Sequence, residues 1–596
     1  MKFDNNPVVY LTKIMWKYSA GNRRSVVLYV SLFICANLLS FLDPLVIAKV
    51  LNIIQERGVT NESVSSIFFY LGLFLLLNIG FWVFHGPARV IEDRNAFLAR
   101  ANYKKYLLDG VMALPIEWHT DHHSGDTIDK VEKGTSALYD YAGDTYQIIE
   151  AIIRLLSSYI ILIYFNLHAS YIILFMTIFA MIMIMRFDKV LVGQYKILYG
   201  TENKISEKIY DVVGNITTVI ILRIEKLVSS SIYKKIMEPF KLYVTNRRIN
   251  ETKWFLVSTV SSVMEVSILA LYLYLNMKSG ALILVGTIYA LYGYVDRISG
   301  LFYRFAYMYS DVVRRRAAVA NAEEIAEQFH DIQKIKSLKL DHNWHELKIA
   351  DLKFSYHAEE GADLHLNNIS LTIGRGERIA LIGESGSGKT TLLKIIRELY
   401  HPTTVGVYLD GELLKHSFQT ISSNIALIPQ DPEIFSTTIK ENITVGVHHE
   451  VEYIKKFTDM ACFTRVVERL PKKLDSFIFE KGVNLSGGEK QRLALARGLM
   501  ACDDKSIVLL DEATSSVDTK NELRIYRNIF KEFKEKTIIA SVHRLHLLSL
   551  FDRVYFFKEG KVIVSGTLND LLGTSKEFVA LWKKYHKLEK TEVLGS

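Results

Sequence analysis

Apolar residues are unevenly distributed along this chain. In the first half they gather into long windows: Val26–Ile54, Ile67–Phe84, Ile148–Phe165, Leu167–Met185, Trp254–Leu275 and Ala281–Val295. A bilayer core takes about 20 residues of helix to cross, and so many windows of this length exceed what a water-soluble core supplies. Six spans are therefore expected. After the second window, apolar positions continue at helical spacing through Val90, Phe97, Leu98, Tyr103, Leu107 and Leu108, and 190–221 repeats the pattern. Spans two to five are thus expected to continue beyond the membrane as long helices, each pair turning through a short segment, Pro115–Gly125 or Gly214–Leu222. From about Leu347 the long windows vanish. Short β-rich segments alternate with helical ones, the pattern of an α/β domain.

Charge orients the windows. Five Lys or Arg precede Ser25, seven lie in 86–147 and thirteen in 186–253, whereas 55–66, 166–170 and 276–280 hold only Arg57 and Lys278. The positive-inside bias then puts both termini and the α/β part in the cytoplasm and three short loops outside. The first apolar run is far too long for a cleavable signal. With 49% apolar and 23% charged residues, mean hydropathy +0.15 and net charge +8, the composition averages a membrane part and a soluble part. It excludes a disordered chain and does not point to nucleic acid. Cys35, Cys462 and Cys502 are too few and too scattered for a disulfide framework or a thiolate metal site. His119, His122 and His123 in the first turn read as a solvated turn, with no second ligand cluster for a metal.

The α/β half carries the chemistry. The strand-like run Glu377–Ile382 leads into Gly383, Glu384, Ser385, Gly386, Ser387, Gly388, Lys389 and Thr390, and a helical stretch from Thr391 follows. This is the G-x-x-x-x-G-K-T phosphate loop in its strand–loop–helix setting. Glycines let successive backbone N–H groups curl around phosphate oxygens, and the helix N-terminus adds partial positive charge. Lys389 reaches the β- and γ-phosphates, and the Thr390 hydroxyl ligates Mg²⁺. A second run, Ser506–Glu512, is a buried strand ending in two carboxylates, Asp511 for the ion and Glu512 for the attacking water. A third, Leu485-Ser486-Gly487-Gly488-Glu489-Lys490-Gln491-Arg492, opens a helix whose N-terminus is another phosphate-seeking surface.

On these residues the chain resembles an exporter-type half-transporter of the ATP-binding cassette superfamily, and the likeness covers nearly all of it. The 485–492 run is closely similar to that superfamily's signature sequence. The resemblance implies that Tyr356 stacks on adenine and that Gln430 senses Mg²⁺. It also implies that Ser515–Asp518 crosses to the opposite subunit and that His543 contacts the γ-phosphate. Phe479, in the stretch Ser476–Gly482, stands where exporters commonly have glycine, a departure that bears on domain contact rather than ATP chemistry. The implied fold is a six-span α-helical transmembrane domain followed by an α/β P-loop NTPase domain. Its boundaries are an elbow helix on the membrane surface (1–25), transmembrane domain (26–325), linker (326–346), nucleotide-binding domain (347–590) and tail (591–596). About 25 residues precede the first window, too few for the peptidase domain of some peptide exporters.

The implied assembly is a dimer, each ATP·Mg²⁺ lying between one Lys389 and the partner's Ser486. A homodimer is expected, since no degenerate site is present, and a heterodimer is the alternative. Glu512, with Lys389, Gln430 and His543, would hydrolyse ATP, and the turns around Trp118 and Val219 would pass the motion to the spans. The implied location is a bacterial inner membrane. The implied function is ATP-driven export of an amphiphilic drug-like compound, peptide or lipid. Alternatives are a lipid or lipid-linked glycan flippase, an importer or an ATP-gated channel on the same scaffold. In the last window and its continuation, Tyr289, Tyr292, Asp296, Gly300, Tyr303 and Tyr307 follow at steps of three and four, one helical face. That face is expected to line a cargo path. Asp43, Arg154, Glu265, Arg297 and Arg304 must pair or reach the inner headgroup level, because a charge facing lipid is costly.

Overall fold

The structure, a computed structural model, describes residues 6–584 except 123, 166, 332–337, 341–342, 357–364, 432 and 480–484. His123, Glu480–Gly482, the tail 591–596 and part of the expected linker lie outside the described residues. The chain divides into two compact units, Met1–Leu114 with His122–Asp331, and Pro115–Asp121 with Ile332–Ser596.

The first unit is helical: α1 (Pro7–Tyr18), α2 (Arg23–Ser40), α3 (Asp43–Arg57), α4 (Asn61–Ala113), α6 (Ser124–Gly143), α7 (Thr145–Phe165), α8 (Leu167–Gly214), α9 (Ile216–Ile221), α10 (Glu225–Met237), α11 (Phe240–Ser279) and α12 (Val285–Glu327). The short helix α5 (Ile116–Asp121), at the first expected turn, groups with the second unit. Helix α1 starts where Pro7 fixes φ and the Asn6 side chain accepts the Val8 N–H at 2.9 Å. It buries Leu11, Met15 and Tyr18, and the Tyr141 hydroxyl donates to the Val8 carbonyl at 3.1 Å. At 48 residues α8 is about 70 Å long, well beyond a bilayer core.

Among the described residues five helical segments, not the six expected, are long and apolar enough to cross a bilayer: Arg23–Arg57, Asn61–Ala113, Ser124–Phe165, Leu167–Gly214 and Glu225–Ser279. The sixth window falls on α12, where tyrosines and the adjacent Asp296 and Arg297 dilute the apolar residues. Only one face of α12 has to be apolar. Ala290, Leu291, Tyr294, Val295 and Ile298 are buried in one cluster with Leu162, Ile173, Val257 and Met264. The opposite stripe, with Tyr289, Tyr292, Tyr303 and Tyr307, is exposed. Four of the five charges expected to need partners have them: Arg154 and Arg304 both meet Glu150, the first at 2.6 Å, and Arg297 lies 3.8 Å from Asp43. Large apolar side chains such as Phe68, Leu76 and Trp82 on α4 stay exposed on the outside, as a lipid-facing surface requires.

The second unit has a six-stranded sheet in the order β10-β9-β3-β8-β7-β6 and a four-stranded antiparallel sheet in the order β2-β1-β4-β5. The strands are β1 (Glu346–Phe354), β2 (Leu366–Gly374), β3 (Arg378–Gly383), β4 (Thr404–Leu409), β5 (Glu412–Leu413), β6 (Ile425–Ile428), β7 (Ile507–Asp511), β8 (Thr537–Ser541), β9 (Arg553–Lys558) and β10 (Lys561–Gly566). The helices are α13 (Lys389–Ile396), α14 (Ile439–Thr444), α15 (Val451–Met460), α16 (Thr464–Arg469), α17 (Gly487–Ala501), α18 (Thr519–Glu532) and α19 (Leu568–Thr574). Strands β6, β7, β8, β3 and β9 run parallel. They are apolar on both faces because each face has its own core. Ile379, Leu381, Ile507 and Leu509 enter one core, and Ala380, Ile382, Val508 and Leu510 enter the other.

Candidate functional site

In an open parallel sheet, ligands bind beyond the carboxyl ends of the strands, where loops diverge. Here those ends deliver the phosphate loop after β3, Gln430 after β6, Asp511 and Glu512 at the end of β7, and His543 after β8. Ser385–Thr391, Gln430, Glu512 and His543 line one cleft of about 890 Å³, together with His365, Asn367, Glu559, Gly560 and Lys561. The last five were not singled out from sequence, since no local motif marks them; they come from the start of β2 and the residue before it, and from the β9–β10 turn with the first residue of β10.

Within the loop, Gly383 has φ +152°, and a Cβ there would stand 2.3 Å from the Phe557 carbonyl, so a side chain is excluded. The Lys389 ammonium donates to the carbonyls of Gly383 at 2.9 Å and Glu384 at 3.1 Å. Burial pushes it below its ordinary pKa, while the Glu512 and Asp511 carboxylates pull the other way. The Thr390 hydroxyl donates to Asp511 at 2.8 Å. Burial pushes the Asp511 carboxyl up, and the Thr390 hydrogen bond opposes it. Glu512 takes a left-handed φ of +46°, uncommon for a residue with a side chain. Its carboxylate accepts the Gln430 amide at 2.7 Å on one oxygen and meets His543 Nε2 on the other.

The structure thus brings Lys389, Thr390, Gln430, Asp511, Glu512 and His543 together. Tyr356 stands at the rim, half-exposed, its hydroxyl 3.2 Å from that of Thr391 and its ring edge-on to Phe354, His365 and Tyr400. Ser486 and Gly487 are exposed and do not line the cleft. They open α17, where Ser486 and Glu489 cap each other's backbone N–H groups. Burial opposes ionisation of Glu489, but hydrogen bonds from the Ser486 N–H and Arg469 outweigh it and hold the carboxyl below its ordinary range. Arg544, beside His543, was also not assigned from sequence. It donates to the Val517 carbonyl at 2.8 Å and to buried Glu522 at 3.0 Å, fastening the His543 loop to the 515–518 segment. Its neighbour His543 was the available signal. Phe477 and Phe479 are exposed, with rings edge-to-face at 5.9 Å.

A P-loop nucleotide domain joined to a bundle of bilayer-length helices is what fold and site define. Residues 26–295 match the family described as ABC transporter transmembrane region, and residues 366–515 the family described as ABC transporter. The chain belongs to the ATP-binding cassette transporter family and is a multi-pass membrane protein. It is 36% identical over 245 residues to the heterocyst differentiation ATP-binding protein HepA of Nostoc sp., covering 41% of this chain and 39% of that one. It is 34% identical over 249 residues to the ATP-dependent lipid A-core flippase of Chromohalobacter salexigens, covering 41% and 42%. The matches therefore span well under two thirds of these relatives. The solved structure of a bacterial Atm1-family ABC exporter with ATP bound has the same fold, with a TM-score of 0.80 at 19% identity over 94% of this chain and 99% of that one.

Proposed function

We propose that the protein is an ATP-driven exporter working as a pair of identical chains in a bacterial inner membrane, its nucleotide domains in the cytoplasm. The observation that carries this is the convergence of Lys389, Thr390, Gln430, Glu512 and His543 in one cleft while the signature residues Ser486–Gly488 lie outside it. A site that needs both is completed by a second chain.

In this reading the phosphates lie on the loop amides and Lys389. Thr390 and Asp511, 2.8 Å apart, with the Gln430 side chain, offer hard oxygen donors that suit Mg²⁺. When bound, the ion neutralises phosphate charge. Glu512 orients a water, whose oxygen bonds to the γ-phosphorus as the bond to the β,γ-bridging oxygen breaks. Lys389, His543 and the partner's Ser486 offset charge on the transferred group. ADP and phosphate leave, and the paired domains separate. The turns around Trp118 and Val219 relay that motion to the helices.

A lipid cargo is the second reading. It is favoured by the flippase relative and by an apolar groove of about 440 Å³ in the helical unit, lined by Ala151, Ile152, Leu155, Met181, Phe302 and Phe305. The test is ATP hydrolysis by the full chain in proteoliposomes, with drug-like amphiphiles, peptides and labelled lipids as cargo. Stimulated hydrolysis with outward movement of one class is expected. Absence of hydrolysis overturns the proposal, and translocation of the lipid alone selects the second reading.

A further inference from the structure

In the paired arrangement proposed above, the signature helix and the end of β7 serve different ATP molecules, yet one side chain joins them within each chain. Gln491 lies early in α17, five residues after Ser486, and is 3% exposed. Its Nε2 donates to the Ser515 hydroxyl at 3.0 Å, the Gln430 carbonyl at 3.3 Å and the Glu512 carbonyl at 3.4 Å. Its Oε1 accepts the Ser516 N–H at 2.7 Å. Every partner sits in a segment of the site: the Gln430 loop, the residue that orients water, and the 515–518 loop.

Two observations make this contact stiff. A Cβ on Gly488 would stand 2.8 Å from the Ser516 carbonyl, so the first turn of α17 and the 515–518 loop touch through backbone with no side chain between them. The reciprocal cap of Ser486 and Glu489 holds the same turn, so its start and Gln491 move as one body about 7 Å long. A buried amide with three backbone partners and one side-chain hydroxyl sets the position of that backbone without touching nucleotide, and losing it leaves those groups without their partner.

We infer that Gln491 is a positioning residue that couples the two ATP sites of the pair. Contact of Ser486–Gly488 with the ATP on the partner's phosphate loop is passed through the Gln491 carboxamide to the backbone that carries Gln430 and Glu512 in the chain's own site. This rests on the dimeric reading above. Each site is thereby brought into register by occupancy of the other, and hydrolysis becomes cooperative in ATP.

The test uses the full chain in proteoliposomes and the variant Gln491→Met, which keeps the volume and loses the amide. Three quantities are measured, hydrolysis against ATP concentration, affinity for a fluorescent ATP analogue and thermal unfolding, and the same set is taken for Ser515→Ala and the double variant. Wild type is expected to be cooperative. Gln491→Met is expected to bind the analogue within about twofold of wild type, lose at least about tenfold in kcat and lose cooperativity, the scale of a misplaced catalytic group. Ser515→Ala, a change at an exposed residue, is expected to lower cooperativity less, with no further loss in the double variant. Wild-type kcat and cooperativity in Gln491→Met overturn the inference. So does a lower kcat with intact cooperativity and a lowered melting temperature, which marks plain packing. Normal hydrolysis by Lys389→Ala, run alongside, overturns the site itself.

Discussion

The two units bury charge in opposite ways. In the helical unit Lys253 on α11 and Asp188 on α8 are almost fully buried against each other, 2.9 Å apart, and cancel. In the nucleotide unit Lys389 and Asp511 are just as buried, 4% and 3% exposed, but their close partners are neutral: backbone carbonyls for the first, the Thr390 hydroxyl for the second. A buried charge costs several kcal/mol unless it is satisfied, and the kind of satisfaction decides what it can do. An opposite charge leaves no field to spend on a ligand. Neutral dipoles leave the field intact, available to phosphate and cation.

The largest expected effect breaks the first half of this comparison. Asp188→Asn leaves the Lys253 ammonium buried without a counter-charge and is expected to destabilise the protein by about 3–5 kcal/mol, seen as a lower melting temperature in detergent. The double change Asp188→Leu with Lys253→Met is expected to recover most of that loss. If the double variant is as unstable as the single one, the pair does more than cancel. The second half is broken by Glu512→Gln. That change is expected to leave ATP binding and melting temperature unchanged and to lower turnover by at least about a hundredfold, or about 2.7 kcal/mol in activation free energy. Near-normal turnover would remove Glu512 from the water-orienting role.

The contrast also governs what could be read from the chain. The phosphate loop was legible because its backbone must curl, and that demand is met by glycines a few residues apart; Gly383 shows the steric need directly. The tyrosine face of α12 was legible from helical periodicity alone, since Tyr289, Tyr292, Tyr303 and Tyr307 do share the exposed side. The sixth window was read from its apolar run at 281–295, yet α12 falls outside the helices apolar enough to cross by composition alone, because it is packed on one face and carries Asp296 and Arg297. Gln491 was in view within the 485–492 run and Arg544 stands beside His543, but neither showed which groups it would bind. Their partners lie 21 to 61 residues away for Gln491 and 22 to 29 for Arg544, and only the folded sheet brings them in. The grouping of α5 with the second unit is likewise a tertiary fact, absent from its six residues.

A third kind of buried charge sharpens the comparison. Glu398, just after α13, has φ +63° and, among the described residues, a buried Oε2 with no hydrogen-bond partner. Burial pushes its carboxyl up to about 7, and nearby Arg397 only partly opposes this. The fold therefore prefers the protonated acid over the unfolded chain, whose carboxyl titrates near the ordinary value of about 4.3. Stability held at low pH is lost as pH rises from about 4.5 through about 7. Glu398→Gln removes that loss. It is expected to match wild type at pH 4.5 and to exceed it by about 1–2 kcal/mol at pH 8, after discounting for partial solvation. A constant gap across that range in thermal unfolding would show that the carboxyl stays ionised in the fold.

The smallest expected effect concerns the α12 face, where charge is neither cancelled nor buried. Asp296 is exposed on the stripe of Tyr289, Tyr292, Tyr303 and Tyr307, while Leu291, Val295 and Ile298 on the opposite side are at most 1% exposed. Trp254 stacks on Tyr303 with ring centroids 5.7 Å apart, which holds that ring flat and ready to offer an aromatic surface. A polar, aromatic face of this kind suits an amphiphile through contact area and hydrogen bonds from the tyrosine hydroxyls. No single residue on it dominates, so Asp296→Asn is expected to change transport by less than about tenfold, the scale of one ordinary hydrogen bond. Geometry gives the cleaner readout. Single cysteines at 289, 292, 296 and 303 are expected to react with a water-soluble thiol reagent, and those at 291, 295 and 298 are expected not to. ATP should change the reactivity of the first set and leave the second unreactive. Equal inaccessibility of both sets, with unchanged transport in Asp296→Asn, would mean that this face packs against protein and that the cargo path runs elsewhere.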